Sequence, residues 1–183
     1  MTRRLDRRGY SRDVYLGPYM ARPLDRPLPA GDVPSGYVVR SFLPDSELVE
    51  RAGAAADAFA GMADAPPWLV DSARRMVEFR GPRGLGETDF VAVTEAGDIA
   101  AHAVVVLDSV TGIGELEGVG TRRAHVRRGL ARAVVVAGLR HMLARGMRHA
   151  VVRTDADRTA AVRLYESVGF RVVDRLYRYV NRG

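Results

Sequence analysis

The hydrophobic period changes between residues 89 and 146, and that change confines the chain to a mixed α/β sheet. "DFVAVT", "DIAAHAVVVLD" and "IGELEGVGT" are apolar or alternating over strand-like lengths, and "EAG" joins the first two as a hairpin. "RRGLARAVVVAGLRHMLARG" then places Leu130, Val134 and Ala137 on one helical face and stops at Gly146. Strands on short turns followed by so apolar a helix need a sheet with helices packed on it. On either side, "YVVRSF" reads as a strand. "PDSELVERAGAAADAF" reads as a helix with Asp45 as N-cap, and "PPWLVDSARRMVEFRG" as a helix stopped by Gly81-Pro82. "RHAVVRTDA" is a strand, "RTAAVRLYESVG" a helix ending at Gly169, and "FRVVDRLYRYV" a closing strand, whole or in two pieces. The expected order is β-α-α-β-β-β-α-β-α-β.

Residues 1–36 differ from the rest. Proline fixes φ and removes a donor, so "YLGPYMARPLDRPLPAGDVPSG" excludes a long helix. A short strand at Val14–Met20 and a linker are expected, giving a basic, Pro-rich extension over 1–35 and a folded domain over 36–183.

At 183 residues and 47% hydrophobic, the chain suits one globular domain. It has no cysteine, which removes disulfides, thiolate metal sites and a thiol nucleophile. The four histidines lack metal-ligand spacing, so no metal is expected. No apolar run approaches the roughly 20 residues of a membrane span, and the basic N-terminus lacks the apolar stretch of a signal peptide. The expectation is a cytoplasmic protein with no membrane partner. Charge is uneven: residues 41–120 carry a net −9 and residues 121–183 a net +11. An anionic ligand at the basic part and a cationic one at the acidic part would suit this division, although folding can also intersperse the charges.

The anionic ligand has a candidate seat. Gly129 opens the apolar helix after a strand, with Arg127, Arg128 and Arg132 around it and Ala131 small. The first amides of a helix lack partners and carry partial positive charge; a residue without Cβ lets a phosphate reach them. A plain strand-to-helix loop with solvated arginines is the alternative. "GIGELEG" at 112–118 imitates a nucleotide fingerprint, but its glycines precede a strand. No GKS or GKT is present, which excludes a Walker-type loop.

At these residues the chain resembles the GNAT family, the Gcn5-related N-acetyltransferases. The family motif Gln/Arg-x-x-Gly-x-Gly/Ala appears as "VRRGLA", Val126 to Ala131, with Val126 where Gln or Arg is usual. A second signature appears as "DRTAAVRLYESVGF": Ala160, Tyr165, Gly169 and Phe170 fall in step, and Asp157 stands where Asn is usual. The resemblance covers about residues 37–183 and extends to bacterial, in particular actinobacterial, members.

The resemblance implies a GNAT fold and direct acetyl transfer from acetyl-CoA to an amine-bearing acceptor in a ternary complex. It implies diphosphate binding by the backbone of Arg127, Arg128, Gly129, Leu130, Ala131 and Arg132. It also implies a pantetheine arm along Val119-Gly120-Thr121, an oxyanion donor near Val119, and a cofactor contact at Asp157 or Arg163. An alkyl ammonium has a pKa of about 10, so a base must deprotonate it. Glu115 and Glu117 are the candidates; binding the substrate ammonium or facing solvent is the other reading for one or both. Read with a period of two, they share one strand face with Val119 and Thr121, roughly 7 Å apart, close enough for each to oppose the other's ionisation. Tyr165 holds the family position of the proton donor to the leaving thiolate; packing helix to sheet is its other reading. His102 reads as a satisfied core or cleft histidine in preference to a base.

The N-terminal segment resembles the linker of tandem GNAT proteins, either a stub of a first half or an arm docking on a second copy in a homodimer. Two rival functions remain: a non-catalytic, CoA-binding GNAT module, and a nucleic-acid binder using the basic third. The latter is disfavoured because its aromatics do not interleave with Arg on one face.

Overall fold

A computed structural model describes residues 8–60, 66–80 and 88–181; the expected helix stop at Gly81-Pro82 lies outside them. The elements are β1 (Tyr10–Pro23), β2 (Tyr37–Ser41), α1 (Pro44–Ala60), α2 (Pro67–Arg80), β3 (Asp89–Thr94), β4 (Ile99–Asp108), β5 (Ile113–Thr121), α3 (Leu130–Ala144), β6 (His149–Arg153), α4 (Thr159–Ser167) and β7 (Arg171–Asn181), with a 3-10 turn at Arg123–His125. From β2 onward this is the expected order. The chain divides into two compact units, residues 23–150 and residues 1–22 with 151–183, the division falling within β6.

In the larger unit β2, β3, β4 and β5 form an antiparallel meander. Its alternation separates two apolar layers. Phe42, Val91, Val93, Ile99 and Val104 pack with Ala54 of α1 on one face. Ala92, Ala101 and Ala103 pack with Leu130 and Val134 of α3 on the other. β4 is buried over seven successive residues from Ile99, so both faces of this strand are core, as its near-continuous apolar run requires. The start of α1 differs from expectation. The helix begins at Pro44, so Asp45 lies in its first turn, and the Glu47 carboxylate accepts from the Leu43 N–H at 3.0 Å. Proline suits the first helical position because its missing N–H would be unpaired there anyway. Arg40 pairs with the same carboxylate, and this hydrogen bond, first among its causes, lowers the Glu47 pKa. At the other end of α3, Gly146 at φ 79° and Met147 donate to the carbonyls of Leu143 and Met142, the left-handed stop that the sequence requires.

The smaller unit corrects the reading of the N-terminus. Its strand runs from Tyr10 to Pro23 instead of Val14 to Met20, and pairs antiparallel with β7 of the same chain. The partner edge that such a strand was expected to seek is β7 of the same unit, which satisfies the hydrogen-bonding row that an isolated strand would expose. Met20 is fully buried there, and Gly17 (φ 151°) passes so close that a Cβ would fall 1.9 Å from the Thr154 carbonyl oxygen. The segment expected as a linker is also packed: Leu24 is 2% exposed and donates to Arg148 O, and Gly31 lies against Val136 of α3.

Candidate active site

The front of α3 is open to an anion. Gly129 is the N-cap at φ 84°, and no side chain caps the helix. Arg127, at φ 64°, is the one non-glycine residue with positive φ among the described residues. That conformation costs an L-residue about 1–2 kcal/mol, and strain of this kind collects at functional turns. Among the described residues nothing accepts from the N–H groups of Arg127, Arg128, Gly129, Leu130 or Ala131. A Cβ on Gly129 would meet only Pro34 Cγ, at 3.9 Å. Uncommitted amides, a positive helix end and two exposed guanidiniums fit the diphosphate of CoA. Leu130 is 1% exposed, so it offers its backbone alone.

A tie that sequence inspection missed steadies this turn. The Tyr37 hydroxyl accepts from Arg128 Nη1 at 2.9 Å and pairs with His125 Nδ1 at 2.8 Å, joining β2 to the 3-10 turn and the loop. The residues lie 91 and 88 positions apart, so no local pattern could reveal them. Tyr37→Phe should weaken acetyl-CoA binding about threefold to tenfold by calorimetry and leave the melting temperature nearly unchanged, because exposed polar ties contribute little to stability. An affinity within twofold of wild type would remove Tyr37 from the site.

The expected common face of Glu115, Glu117, Val119 and Thr121 does not exist. Glu115 pairs with Val106 and Glu117 with Val104, but Gly120 pairs with His102, so β5 holds one extra residue against β4. This bulge lies at Gly118–Val119, where Gly118 has φ 54°. An extra residue inverts the alternation beyond it. Glu115 and Glu117 therefore lie on the face of α1. Val119 packs with the α3-side layer, and Thr121 pairs with Ala101 of that layer. The bulge thus separates the proposed base from the proposed pantetheine track, which a period of two would have merged. Gly118, the hinge glycine, is itself exposed.

On the α1 face lies a cavity of about 190 Å³, walled by Phe42, Leu48, Phe59, Leu69, Val104 and Gly118 among others. Arg51 Nε donates to Asp89 Oδ2 at 2.9 Å in the same wall, with side chains 11% and 3% exposed. His102 completes it: 1% exposed, edge-on to Phe59 with ring centroids 5.7 Å apart, and beside Gly120. It is buried as expected but not satisfied, since neither ring nitrogen has a hydrogen-bond partner among the described residues. Burial, then the positive charges of Arg51 and Arg122, hold its pKa well below the ordinary 6.5. Arg51 comes from α1 and Arg122 from the end of β5, and Asp89 of β3 is engaged with Arg51.

An imidazole that resists protonation only when folded leaves the unfolded chain binding more protons. Its contribution to stability is full above about pH 6.5 and declines as pH falls below that value. Relative to His102→Phe, the wild type should lose about 1–2 kcal/mol more between pH 7.5 and 5 in denaturant titrations. Parallel pH profiles for the two proteins would contradict a buried, neutral imidazole.

The smaller unit holds the other two predicted residues. Tyr165 is 5% exposed and edge-on to Phe170 at 5.8 Å, and burial pushes its pKa up to about 12 against a small opposing effect of Arg158. Asp157 is exposed in the turn before α4, its carbonyl accepting from Thr159 N.

The profile of the Acetyltransferase (GNAT) family matches residues 58–170. A mycothiol acetyltransferase of Thermobispora bispora is 36% identical over 167 residues, covering 87% of this chain and 55% of that protein. The chain spans about half the length of the curated relatives it matches. A GCN5-related N-acetyltransferase from Sphaerobacter thermophilus superposes with a TM-score of 0.72 at 29% identity, covering 97% of this chain and 54% of the other. A tandem GNAT protein from the clavulanic acid biosynthesis pathway shares the fold at a TM-score of 0.75 and 20% identity, with coverage of 97% and 56%.

Proposed function

Because the chain belongs to the GNAT family of acetyltransferases, we propose that it moves an acetyl group from acetyl-CoA to a primary amine by direct attack in a ternary complex. The observation that carries this reading is the bare helix front at Gly129, where amides without partners among the described residues meet an open approach. Backbone N–H groups from Arg127 to Arg132 hold the diphosphate, with Arg128 steadied by Tyr37. The strand residues Val119, Gly120 and Thr121 carry the pantetheine arm, and an amide near Val119 faces the thioester oxygen. A donor aimed at the developing oxyanion lowers such barriers by about 3–4 kcal/mol.

Glu117 is the base. Its register partner Val104 and its neighbour Gly118 both line the cavity on the α1 face, whereas Glu115 lies two residues farther along. Glu117 takes a proton from the ammonium, the freed nitrogen attacks the acetyl carbon, and the C–S bond breaks. Tyr165 hydrogen-bonds or protonates the departing thiolate; its raised pKa keeps it in the phenol form throughout the assay range. Tyr165→Phe should lower kcat about tenfold to a hundredfold with KM for acetyl-CoA little changed. An unaltered kcat would leave Tyr165 as packing alone.

The names of the curated relatives make a mycothiol-related amine the first acceptor to try. Calorimetry with acetyl-CoA, followed by thiol release over an amine set that includes it, tests the proposal. Heat on binding with amine-dependent thiol release is expected. Binding without release on any amine would identify a CoA-binding module without turnover, and no binding would remove both readings.

A further inference from the structure

β7 has an open edge. β1 pairs along one side of it, and no strand among the described residues lies along the other. The Pro18 carbonyl is turned to Thr154, whose N–H reaches it at 3.4 Å, and proline has no N–H of its own. The Pro18–Arg175 pair therefore exchanges no hydrogen bonds, and the N–H and C=O of Arg175 point outward. Among the described residues that amide is met by its neighbour's side chain, donating to Asp174 Oδ1 at 2.7 Å. Every residue from Arg171 to Arg175 is exposed, Val172 by 46% and Val173 by 59%. Such an edge is a template for another strand.

The sequence of β7, "RVVDRLYRYVN", is complementary to itself. A two-fold axis perpendicular to a sheet keeps each residue on the face it has in its own copy. Residues that stand opposite across the axis must then be an even number of positions apart. Asp174 is the one acid of β7, and the arginines are Arg171, Arg175 and Arg178. Only Arg178 lies an even number of positions from Asp174, which puts the axis on Leu176. We propose that β7 pairs antiparallel with β7 of a second copy of this chain, centred on Leu176. In that register Asp174 faces Arg178 of the second copy, Leu176 meets itself, and no two arginines stand opposite. The outward backbone groups of Arg175 and Tyr177 exchange both hydrogen bonds. Their side chains also suit each other. Arg12 already lies over the Tyr177 ring, 4.6 Å from its centroid, so the ring accepts a guanidinium. Arg178 donates to Asp13 Oδ2 at 2.7 Å, yet its side chain stays 59% exposed and keeps further donors for a second carboxylate. β7 holds an extra residue at Val173 against β1, so the regular ladder runs from Asp174 to Arg178 in both copies. Charges on an edge ordinarily repel unrelated strands; here they match one strand, its own copy.

One edge is a small contact beside interfaces of about 1,200–2,000 Å², so the dimer should dissociate reversibly at roughly 10–100 µM. Sedimentation equilibrium of the full chain across and above that range reads it. Asp174→Arg sets a base against Arg178 of the other copy, and Arg178→Asp sets an acid against Asp174. Each should weaken self-association at least about tenfold. Mixed in equal amounts, the two variants are complementary again and should pair to within about threefold of wild-type strength. Arg178→Asp also loses the Asp13 contact, so a second measurement does without it. The chain has no cysteine, so Leu176→Cys carries the only thiol. Across the axis the two Cα atoms stand about 4.5 Å apart, within reach of a disulfide. Arg171→Cys, exposed and roughly 30 Å from its own copy, is the control. Under mild oxidation Leu176→Cys should cross-link at least about tenfold faster than Arg171→Cys. A wild type that stays monomeric throughout, a dimer that survives both charge reversals, folded variants that fail to recombine, or equal cross-linking at the two positions would each overturn the proposal. No readout involves acetyl-CoA, so none of these results bears on the acetyltransferase reading.

Discussion

Gly129→Val should reduce acetyl-CoA affinity at least about a hundredfold while the chain still folds. Two effects add at this position. A β-branched residue at φ 84° is strained, so the turn shifts or the molecule carries a penalty above about 1–2 kcal/mol. The isopropyl group would also stand over amides that the diphosphate must reach, and those amides have no other partner among the described residues. The surroundings predict tolerance of the fold itself, since only Pro34 Cγ lies within 4 Å of the added Cβ. Gly129→Ala separates the two effects: its melting temperature should fall by roughly 3–8 °C from backbone strain, with a smaller loss of affinity. Calorimetry on both variants reads the result. Wild-type affinity in Gly129→Val would mean that the cofactor is gripped elsewhere.

The second large effect is chemical. Glu117→Gln should lower kcat/KM about a hundredfold to ten-thousandfold at neutral pH, with binding of acetyl-CoA unchanged. Glutamine keeps the shape and the hydrogen-bonding of the side chain but cannot take the ammonium's proton. The loss should therefore shrink as assay pH rises toward the amine's pKa of about 10, where free amine is supplied by the solvent. Glu115→Gln should cost less, because its partner Val106 is not among the cavity residues. Equal losses for both variants, or a loss that persists undiminished at high pH, would show that Glu117 acts by binding or by charge and not by proton transfer.

The two carboxylates also show where one-dimensional reading ends. Strand residues report their face through a period of two, and on that basis Glu115 and Glu117 were correctly placed together. The same rule fails two residues later, at Val119. The bulge at Gly118–Val119 depends on how β5 meets β4, and Gly118 in the sequence "EGVG" carries no mark that distinguishes a bulge from an ordinary strand glycine. The helix front was more legible, because a glycine at a strand-to-helix junction followed by a small residue has a local meaning in its own backbone. The boundary of the N-terminal strand was misjudged for a similar reason. Pairing with β7 runs from Tyr10 to Ala21 and carries the strand beyond both ends of Val14–Met20, and that partner lies some 150 positions away in the chain.

By itself the sequence determined whatever depends on neighbours in the chain: the order of elements from Tyr37 onward, the stops at Gly146 and Gly169, and the anion-ready turn at Gly129. These follow from backbone preference and apolar period, which act over a few residues. Tertiary structure alone decided which face each acid occupies, that Tyr37 steadies Arg128, that Arg51 and Asp89 meet, and that His102 is buried with its nitrogens unmet among the described residues. Those outcomes depend on strand register and on contacts between residues tens of positions apart. Burial and hydrogen-bond satisfaction are properties of the assembled environment, and an isolated residue type does not carry them.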